Sequence, residues 1–279
     1  MNLFDLHCDT ATEAFNAGKP LSAFSLPLLK SPYQKWAQTF AIFISDSKKE
    51  DAREYFEGAF EYLQKELPKY PDVTPLFAVE NCGNMIKIPN EDTAMLKVRG
   101  VRLVSLTHNG DNPLCGGIRG DGRGLSALGK EVVSELAPNG ITLDCSHCSD
   151  KAFWDICETT DAPFIATHSN SRSVCGDMRN LTDEQAKEIF RRGGLVGLIF
   201  YGAFLGEKSP IEALIAHIGR FFALGGEKYL SIGSDYDGAP IAKELFDLKK
   251  VEKRIALTIG QEAADGIFYN NAARFFGCG

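Results

Sequence analysis

The chain has 279 residues, of which 44% are hydrophobic and 24% charged, and its 30 basic and 37 acidic side chains leave a net charge of −7. This balance excludes disordered, collagen-like and low-complexity proteins, and its diffuse acidity has the wrong sign for a protein that grips nucleic-acid phosphates. Eight cysteines are dispersed through a chain long enough to bury a core without disulfide staples.

The first apolar run, residues 3–6, ends in His7-Cys8-Asp9. On an extended chain His7 and Asp9 share one face and Cys8 takes the other. These opening residues carry two acids and no base, unlike a signal peptide, so free thiols and a cytoplasmic location are expected. A second run covers 39–44. Ser47-Lys-Lys-Glu50 then reads as a capping box for a helical stripe of Ala52, Tyr55, Phe56, Ala59, Phe60, Leu63 and Leu67, stopped by Pro68. Run three, 76–79, ends in Glu80. Run four, 101–106, ends in Thr107-His108-Asn109 and leads into a segment rich in glycine (110, 116, 117, 120, 122 and 124). That segment matches no phosphate-binding pattern and reads as a long loop bordering a pocket.

An amphipathic stretch through Leu128, Val132, Val133 and Leu136 precedes run five, 141–145, which ends in Ser146-His147. Run six, 164–167, ends in His168-Ser169-Asn170. Thr182-Asp-Glu-Gln185 opens another helix, carrying Ala186, Ile189 and Phe190 and closed by Gly193-Gly194. Run seven covers 195–201; the uncharged stretch around it, 193–206, is too short for a membrane span of about 20 residues. Ser209-Pro-Ile-Glu212 opens a helix with Leu214, Ile215, Ile218 and Phe222, ended by Gly225. Run eight, 229–232, ends in Gly233-Ser234-Asp235-Tyr236-Asp237.

Short apolar runs alternating with amphipathic helices imply parallel βαβ units. Eight of them predict an α/β fold: one (β/α)8 TIM barrel spanning residues 1–279 as a single domain, with its site at the C-terminal strand ends. A doubly wound open sheet is the alternative. Four of the five histidines stand at strand ends, and only His217 falls in a helix. Taken singly, His147 or His168 would be a hydrogen-bonded core histidine and Glu80 a solvated loop acid. A barrel aims all of them into one mouth, where buried imidazoles and carboxylates are costly without a cation. Five candidate ligands, His7, Asp9, Glu80, His147 and His168, suit Zn2+ ahead of Mn, Co or Fe. They also exceed the needs of one catalytic ion, which points to two ions about 3.5–4 Å apart sharing a carboxylate. Cys145-Ser-His-Cys148 is a C-x-x-C without thioredoxin-like surroundings, and the remaining cysteines read as small apolar side chains.

The ordered set of His-x-Asp, Val-Glu, Leu-Thr-His-Asn, Leu-Asp-x-Ser-His, Thr-His-Ser-Asn, Arg-Asn and Gly-Ser-Asp-Tyr-Asp-Gly resembles the membrane dipeptidase (renal dipeptidase) family, a zinc-dependent branch of the amidohydrolase barrels. The resemblance runs from Phe4 to a closing segment at 266–274. It implies two Zn2+ per chain, with His7 and Asp9 on one ion, Glu80 bridging, and His147 and His168 on the other. It further implies that His108 polarises the scissile carbonyl, Arg179 holds the substrate's terminal carboxylate, and Asp235 handles protons. The implied activity is hydrolysis of dipeptides, with tolerance of a C-terminal D-residue, by water activated between the ions. No nucleic-acid or membrane partner is expected; the oligomeric state stays open, a homodimer included. Two positions depart from the family pattern: Leu6 and Cys8 flank His7 where glycine and asparagine are usual, and Asn81 follows Glu80 where glycine is usual. The alternatives are another binuclear amidohydrolase chemistry (lactam, ester or deamination), a catalytically inactive metal-binding relative, and a redox role for Cys145 and Cys148. Whether Asp237 shares the role of Asp235 is left open by their spacing.

Overall fold

The computed structural model describes residues 1–26 and 33–278. Among these described residues seven strands form one all-parallel sheet: β1 Leu3–Cys8, β2 Trp36–Phe43, β3 Thr74–Glu80, β4 Val101–Ser105, β5 Thr142–Asp144, β6 Val196–Leu198 and β7 Leu230–Ile232. Their order is β5-β4-β3-β2-β1-β7-β6. This curled sheet with helices packed outside agrees with the α/β class and the parallel topology expected of the sequence. The expected eighth strand is much reduced. Residues 164–167 contribute only two isolated parallel bridges, Ile165 to Asp144 and Ala166 to Val196. They rest on four backbone bonds, from Cys145 to Ile165, Ile165 to Leu143, Ala166 to Leu195 and Gly197 to Ala166, each between 2.8 and 3.0 Å. The run is too short to add a ladder of its own, yet it occupies the position between the two edges of the sheet.

The apolar residues sort into two layers. The outer one packs strand residues such as Leu3, Phe40, Ile42 and Val104 against helices that include Ala52–Glu66, Ala127–Leu136 and Pro210–Ala223. The inner one joins Phe4, Leu6, Ala37, Ala41, Leu76, Ala78, Leu103, Ile165 and Leu195 to Tyr269, Ala272 and Phe276 of the closing helical segment. Phe276 stacks on Phe4 with centroids 5.5 Å apart. The last helical turns thus seal the end of the sheet where the strands begin, leaving the opposite end for polar residues.

Several helix starts follow local chemistry. Thr182 and Gln185 complete their reciprocal cap on the helix Asp183–Arg191, Ser126 caps Ala127–Leu136 through the N–H of Gly129, and Pro210 occupies the first turn of Pro210–Ala223. The capping box expected at Ser47–Glu50 is not formed. Instead Ser45 caps a short 3-10 turn, Asp46–Lys48, and the helix Ala52–Glu66 begins after Asp51. All eight cysteines are free thiols. Among the described residues no helix is long and apolar enough to cross a membrane.

His217, the one histidine in a helix, is fully buried and doubly bonded: its Nδ1 accepts from the N–H of Ser171 at 3.1 Å and its Nε2 donates to the carbonyl of Leu205 at 3.1 Å. Burial pushes its pKa down to about 4 from 6.5, so the unfolded chain binds this proton more readily. Stability from this group is intact above pH 6.5 and is lost as pH falls towards 4. At 1.36 kcal/mol per pH unit the loss amounts to about 3 kcal/mol. Urea unfolding of His217→Gln should therefore show a shallower pH dependence than the parent chain over that window. Equal slopes would contradict the assignment.

Candidate active site

The polar end of the sheet is built by backbone irregularities at the strand ends. In β1, Leu3 faces the outer layer and Phe4 and Leu6 the inner one, yet Cys8 returns to the outer layer. This change of parity coincides with a register shift between Asp5 and Cys8 against β2. Such a bulge re-aims side chains, and here it turns His7 and Asp9 into the mouth. The buried Asp5 carboxylate holds the bulge in place. It accepts from the N–H and hydroxyl of Ser234 at 2.9 and 2.6 Å and from Gln38 Nε2 at 3.0 Å. Further bonds, Asp235 N–H to the His7 carbonyl and Asp9 N–H to that of Tyr236, stitch the ends of β1 and β7 together.

Among the described residues, four that are not glycine adopt positive φ: Asn81, His147, Asp235 and Asp237. All lie where strands end. Asn81, in the position where the family pattern has glycine, has φ 62°. Asparagine tolerates this conformation better than most residues, and its side chain donates to the Ile44 carbonyl at 2.7 Å while accepting from Asn112 at 2.9 Å. These bonds hold the left-handed turn at 81, directly after Glu80.

The five expected ligands converge. Glu80 is central and 5% exposed. Its Oε2 lies 3.5 Å from His7 Nε2; its Oε1 lies 3.0 Å from His147 Nε2 and 3.8 Å from His168 Nε2. His7 Nε2 is also 3.3 Å from Asp9 Oδ2 and 3.9 Å from Asp235 Oδ1. Two compact triads, His7–Asp9–Glu80 and Glu80–His147–His168, share the Glu80 carboxylate, and a third joins His7, His168 and Asp235. Despite these short distances, buried His7 Nε2 and Glu80 Oε1 lack hydrogen-bond geometry to any partner. Unpartnered imidazole and carboxylate atoms meeting at one buried point are the donor set of a divalent cation, which would displace the His7 proton. The electrostatics agree for the protein alone. Burial and crowding by Asp9 push the carboxyl of Asp235 up to about 8, and burial does the same to Glu80, with His7 opposing. Burial disfavours charge on His7, but Glu80, Asp9 and Asp235 outweigh it and raise its pKa to about 10. Positive charge is what this cluster is short of.

The other expected residues surround the ligands. His108 is half-buried, its ring 4.2 Å from that of His147 and 4.7 Å from Phe43. Burial and then the Arg179 guanidinium push it down to about 4. It is a neutral imidazole near pH 7. Arg179 is buried, with Nε 3.1 Å from His147 Nδ1 and its terminal nitrogens donating to Ser169 Oγ at 2.9 Å and the His168 carbonyl at 3.0 Å. One N–H remains on each terminal nitrogen. Asp237 is not part of the cluster. Its carboxylate accepts from Thr10 and Ser25 hydroxyls, both at 2.6 Å, which separates it from Asp235. The glycine-rich segment borders the site, Ile118 donating to the His147 carbonyl at 2.8 Å.

Cys145 and Cys148 are both buried, but the thiol near Cys148 is that of Cys115, at 3.7 Å. The Cys115 contact and burial hold the Cys148 thiol well above its ordinary pKa, the opposite of a reactive cysteine. Residues that the spacing argument passed over are Asp144, Thr167 and Asn109, which support His168 and His147 from behind. Their sequence signal is their place in the Leu-Asp-x-Ser-His, Thr-His-Ser-Asn and Leu-Thr-His-Asn motifs at the strand ends.

The family model for membrane dipeptidase (peptidase family M19) matches residues 73–277. The chain belongs to this family. Among curated relatives, an uncharacterized protein of Klebsiella pneumoniae is 33% identical over 169 residues, covering 56% of this chain and 62% of that protein. An uncharacterized dipeptidase of Schizosaccharomyces pombe is 33% identical over 176 residues, covering 57% and 42%. The aligned part is thus less than two thirds of either relative. In fold, the M19 chain is similar to a metallo peptidase of Rhodobacter sphaeroides solved with a phosphinate mimic of the dipeptide L-Ala-D-Ala, with a TM-score of 0.89, 20% identity and 99% of both chains covered. It is also similar to a probable dipeptidase of Pseudomonas aeruginosa, with a TM-score of 0.78, 18% identity and 86% and 85% coverage.

Gly238 offers a direct test of the cluster. A Cβ there would stand 2.1 Å from Asp9 Oδ2 and 2.6 Å from Asp235 Oδ1. Gly238→Ala should displace both carboxylates and weaken divalent-cation binding about tenfold or more, the scale of a disturbed supporting shell. Calorimetric titration that finds parental affinity would contradict this geometry.

Proposed function

We propose that the chain is a metal-dependent dipeptidase whose cluster holds two Zn2+ ions. The observation that carries this reading is the single Glu80 carboxylate shared by two ligand triads, with a buried arginine beside them. His7 and Asp9 would hold one ion, His147 and His168 the other, and Glu80 both. Bound there, divalent ions supply an activated water and a polarised carbonyl at neutral pH.

The chain's own residues supply the rest. Arg179, with one N–H left on each terminal nitrogen, fits the bidentate capture of a carboxylate, and its anchored bonds to Ser169 and His168 keep that fork oriented. A dipeptide is the peptide whose terminal carboxylate lies one residue from its scissile bond, so this clamp selects short substrates with a free C-terminus. His108, held neutral, carries an N–H that can donate to the substrate carbonyl oxygen as negative charge grows there, an effect of the kind that contributes most to acyl-transfer catalysis. Asp235 Oδ1, 3.9 Å from His7 Nε2, is placed to accept a proton at the cluster and return it to the leaving amine. Nothing in this arrangement demands an L-residue on the C-terminal side, and we propose that D-residues are accepted there. The free thiols fit a reducing, cytoplasmic setting.

Turnover of dipeptides, dipeptide amides and tripeptides by metal-loaded and chelator-stripped protein tests the reading. Dipeptides with a free carboxylate should be hydrolysed only by the loaded form. Arg179→Lys should lower kcat/KM for them by about tenfold or more, equivalent to about 1.4 kcal/mol. Asp235→Asn should abolish turnover with metal retained. Full activity of the stripped protein, or amides cleaved as well as free dipeptides, would contradict the proposal; a preference for cyclic amides or esters would move it to another amidohydrolase chemistry.

A further inference from the structure

His147 and His168 present their Nε2 atoms to the same carboxylate, but their rings are supported differently. His147 Nδ1 has an acceptor, Asn109 Oδ1 at 3.0 Å, and a donor, Arg179 Nε at 3.1 Å, so its surroundings allow either neutral tautomer. His168 Nδ1 has one partner, Thr167 Oγ1 at 2.7 Å. Thr167 in turn donates to Asp144 Oδ2 at 2.5 Å. Asp144 Oδ1 accepts from the backbone N–H groups of Ser146 and Thr167 at 2.9 and 3.0 Å. All three side chains are buried.

Counting hydrogens closes this chain. A carboxylate only accepts, and a threonine hydroxyl has one hydrogen to give. That hydrogen is committed to Asp144 along the shortest bond in the chain, while the other hydroxyl nearby, Ser146 Oγ, is 3.5 Å away. Thr167 Oγ1 can then offer His168 only a lone pair, so the proton of the neutral imidazole must sit on Nδ1 and leave a lone pair on Nε2, which lies 2.9 Å from His147 Nε2 and 3.8 Å from Glu80 Oε1. We infer that Asp144 and Thr167 are positioning residues that preset His168 in the Nδ1–H tautomer needed for metal ligation. This rests on the reading of His168 as a metal ligand, although the tautomer itself does not.

The relay makes an unusual ordering of variants. In Asp144→Asn the amide oxygen stays on the two backbone N–H groups, so the amide NH2 faces Thr167 and donates. The Thr167 hydroxyl must then turn its hydrogen onto His168 Nδ1, which drives the ring proton to Nε2 and blocks ligation. Thr167→Val removes the relay without imposing the wrong tautomer. Thr167→Ser keeps it.

Two measurements decide the matter. Nitrogen NMR of the imidazoles in chelator-stripped parent protein at about pH 8, above the ordinary histidine range, reads the tautomer of His168 directly, and with five histidines assignment by single replacement is practical. His168 should be protonated at Nδ1 in the parent and Thr167→Ser, and at Nε2 in Asp144→Asn. Zn2+ affinity by chelator competition should fall about 100-fold in Asp144→Asn and about tenfold in Thr167→Val, within the range of disturbed supporting shells, and stay near parental in Thr167→Ser. A parent His168 protonated at Nε2 would overturn the inference, as would parental Zn2+ affinity in Asp144→Asn. If Asp144→Asn does not fold, the parent spectrum and the two Thr167 variants still decide. If the parent shows the expected tautomer but binds no Zn2+, the functional reading fails and the tautomer assignment stands.

Discussion

The structure is organised around one carboxylate. Glu80 is almost fully enclosed and lies between two groups of ligand atoms, with Oε2 facing His7 and Oε1 facing His147 and His168. Burying such a group unpaired is costly, and breaking a pair that compensates it costs more than the pair contributes. The neighbouring acids Asp9 and Asp235 add to the demand for positive charge, while a protonated His7 answers it only in part. A fold that brings three carboxylates and three imidazoles to one buried point carries a standing electrostatic cost unless cations occupy it. That cost is the strongest physical reason to assign a metal-handling function to this end of the sheet.

The rest of the architecture keeps Glu80 company in the required geometry. The bulge in β1 turns His7 inward, and the Asp5 carboxylate ties that bulge to Ser234 and Gln38. Left-handed backbone at Asn81, His147 and Asp235 places ligands and their neighbours where regular strands could not. Such conformations persist when their surroundings over-determine them, and they gather at functional sites. Beneath this polar layer, Phe4, Tyr269 and Phe276 close the other end of the sheet. Rigid apolar packing below and hydrogen-bonded ligands above are how a barrel-like scaffold holds a site to within fractions of an ångström.

Much of this was legible in the sequence because strand ends and chemistry coincide. His7 and Asp9 could be placed on one face from their spacing alone, and the concentration of histidines after apolar runs pointed to a common mouth. Other features depend on tertiary geometry that no local pattern encodes. Run 164–167 reads as a strand, yet it is squeezed between β5 and β6 and keeps only two bridges. Ser47 has the spacing of a capping box, but Ser45 captures the turn first. Asp235 and Asp237 are equivalent by spacing; only the positions of Thr10 and Ser25 assign the second to a structural role. The C-x-x-C pattern joined Cys145 with Cys148, while the folded chain sets Cys148 beside Cys115 from the glycine-rich loop. Asp144 and Thr167 were visible as letters in a motif, but their role emerges only from a hydrogen count in three dimensions.

The central claim is that Glu80 is the shared ligand of two cations. The most direct measurement is anomalous X-ray diffraction from crystals of the Zn2+-loaded protein, collected on both sides of the zinc absorption edge. The account predicts two anomalous peaks, one beside His7 and Asp9 and one beside His147 and His168, with the Glu80 carboxylate between them. A single peak away from Glu80, or none at this cluster under saturating Zn2+, would contradict it.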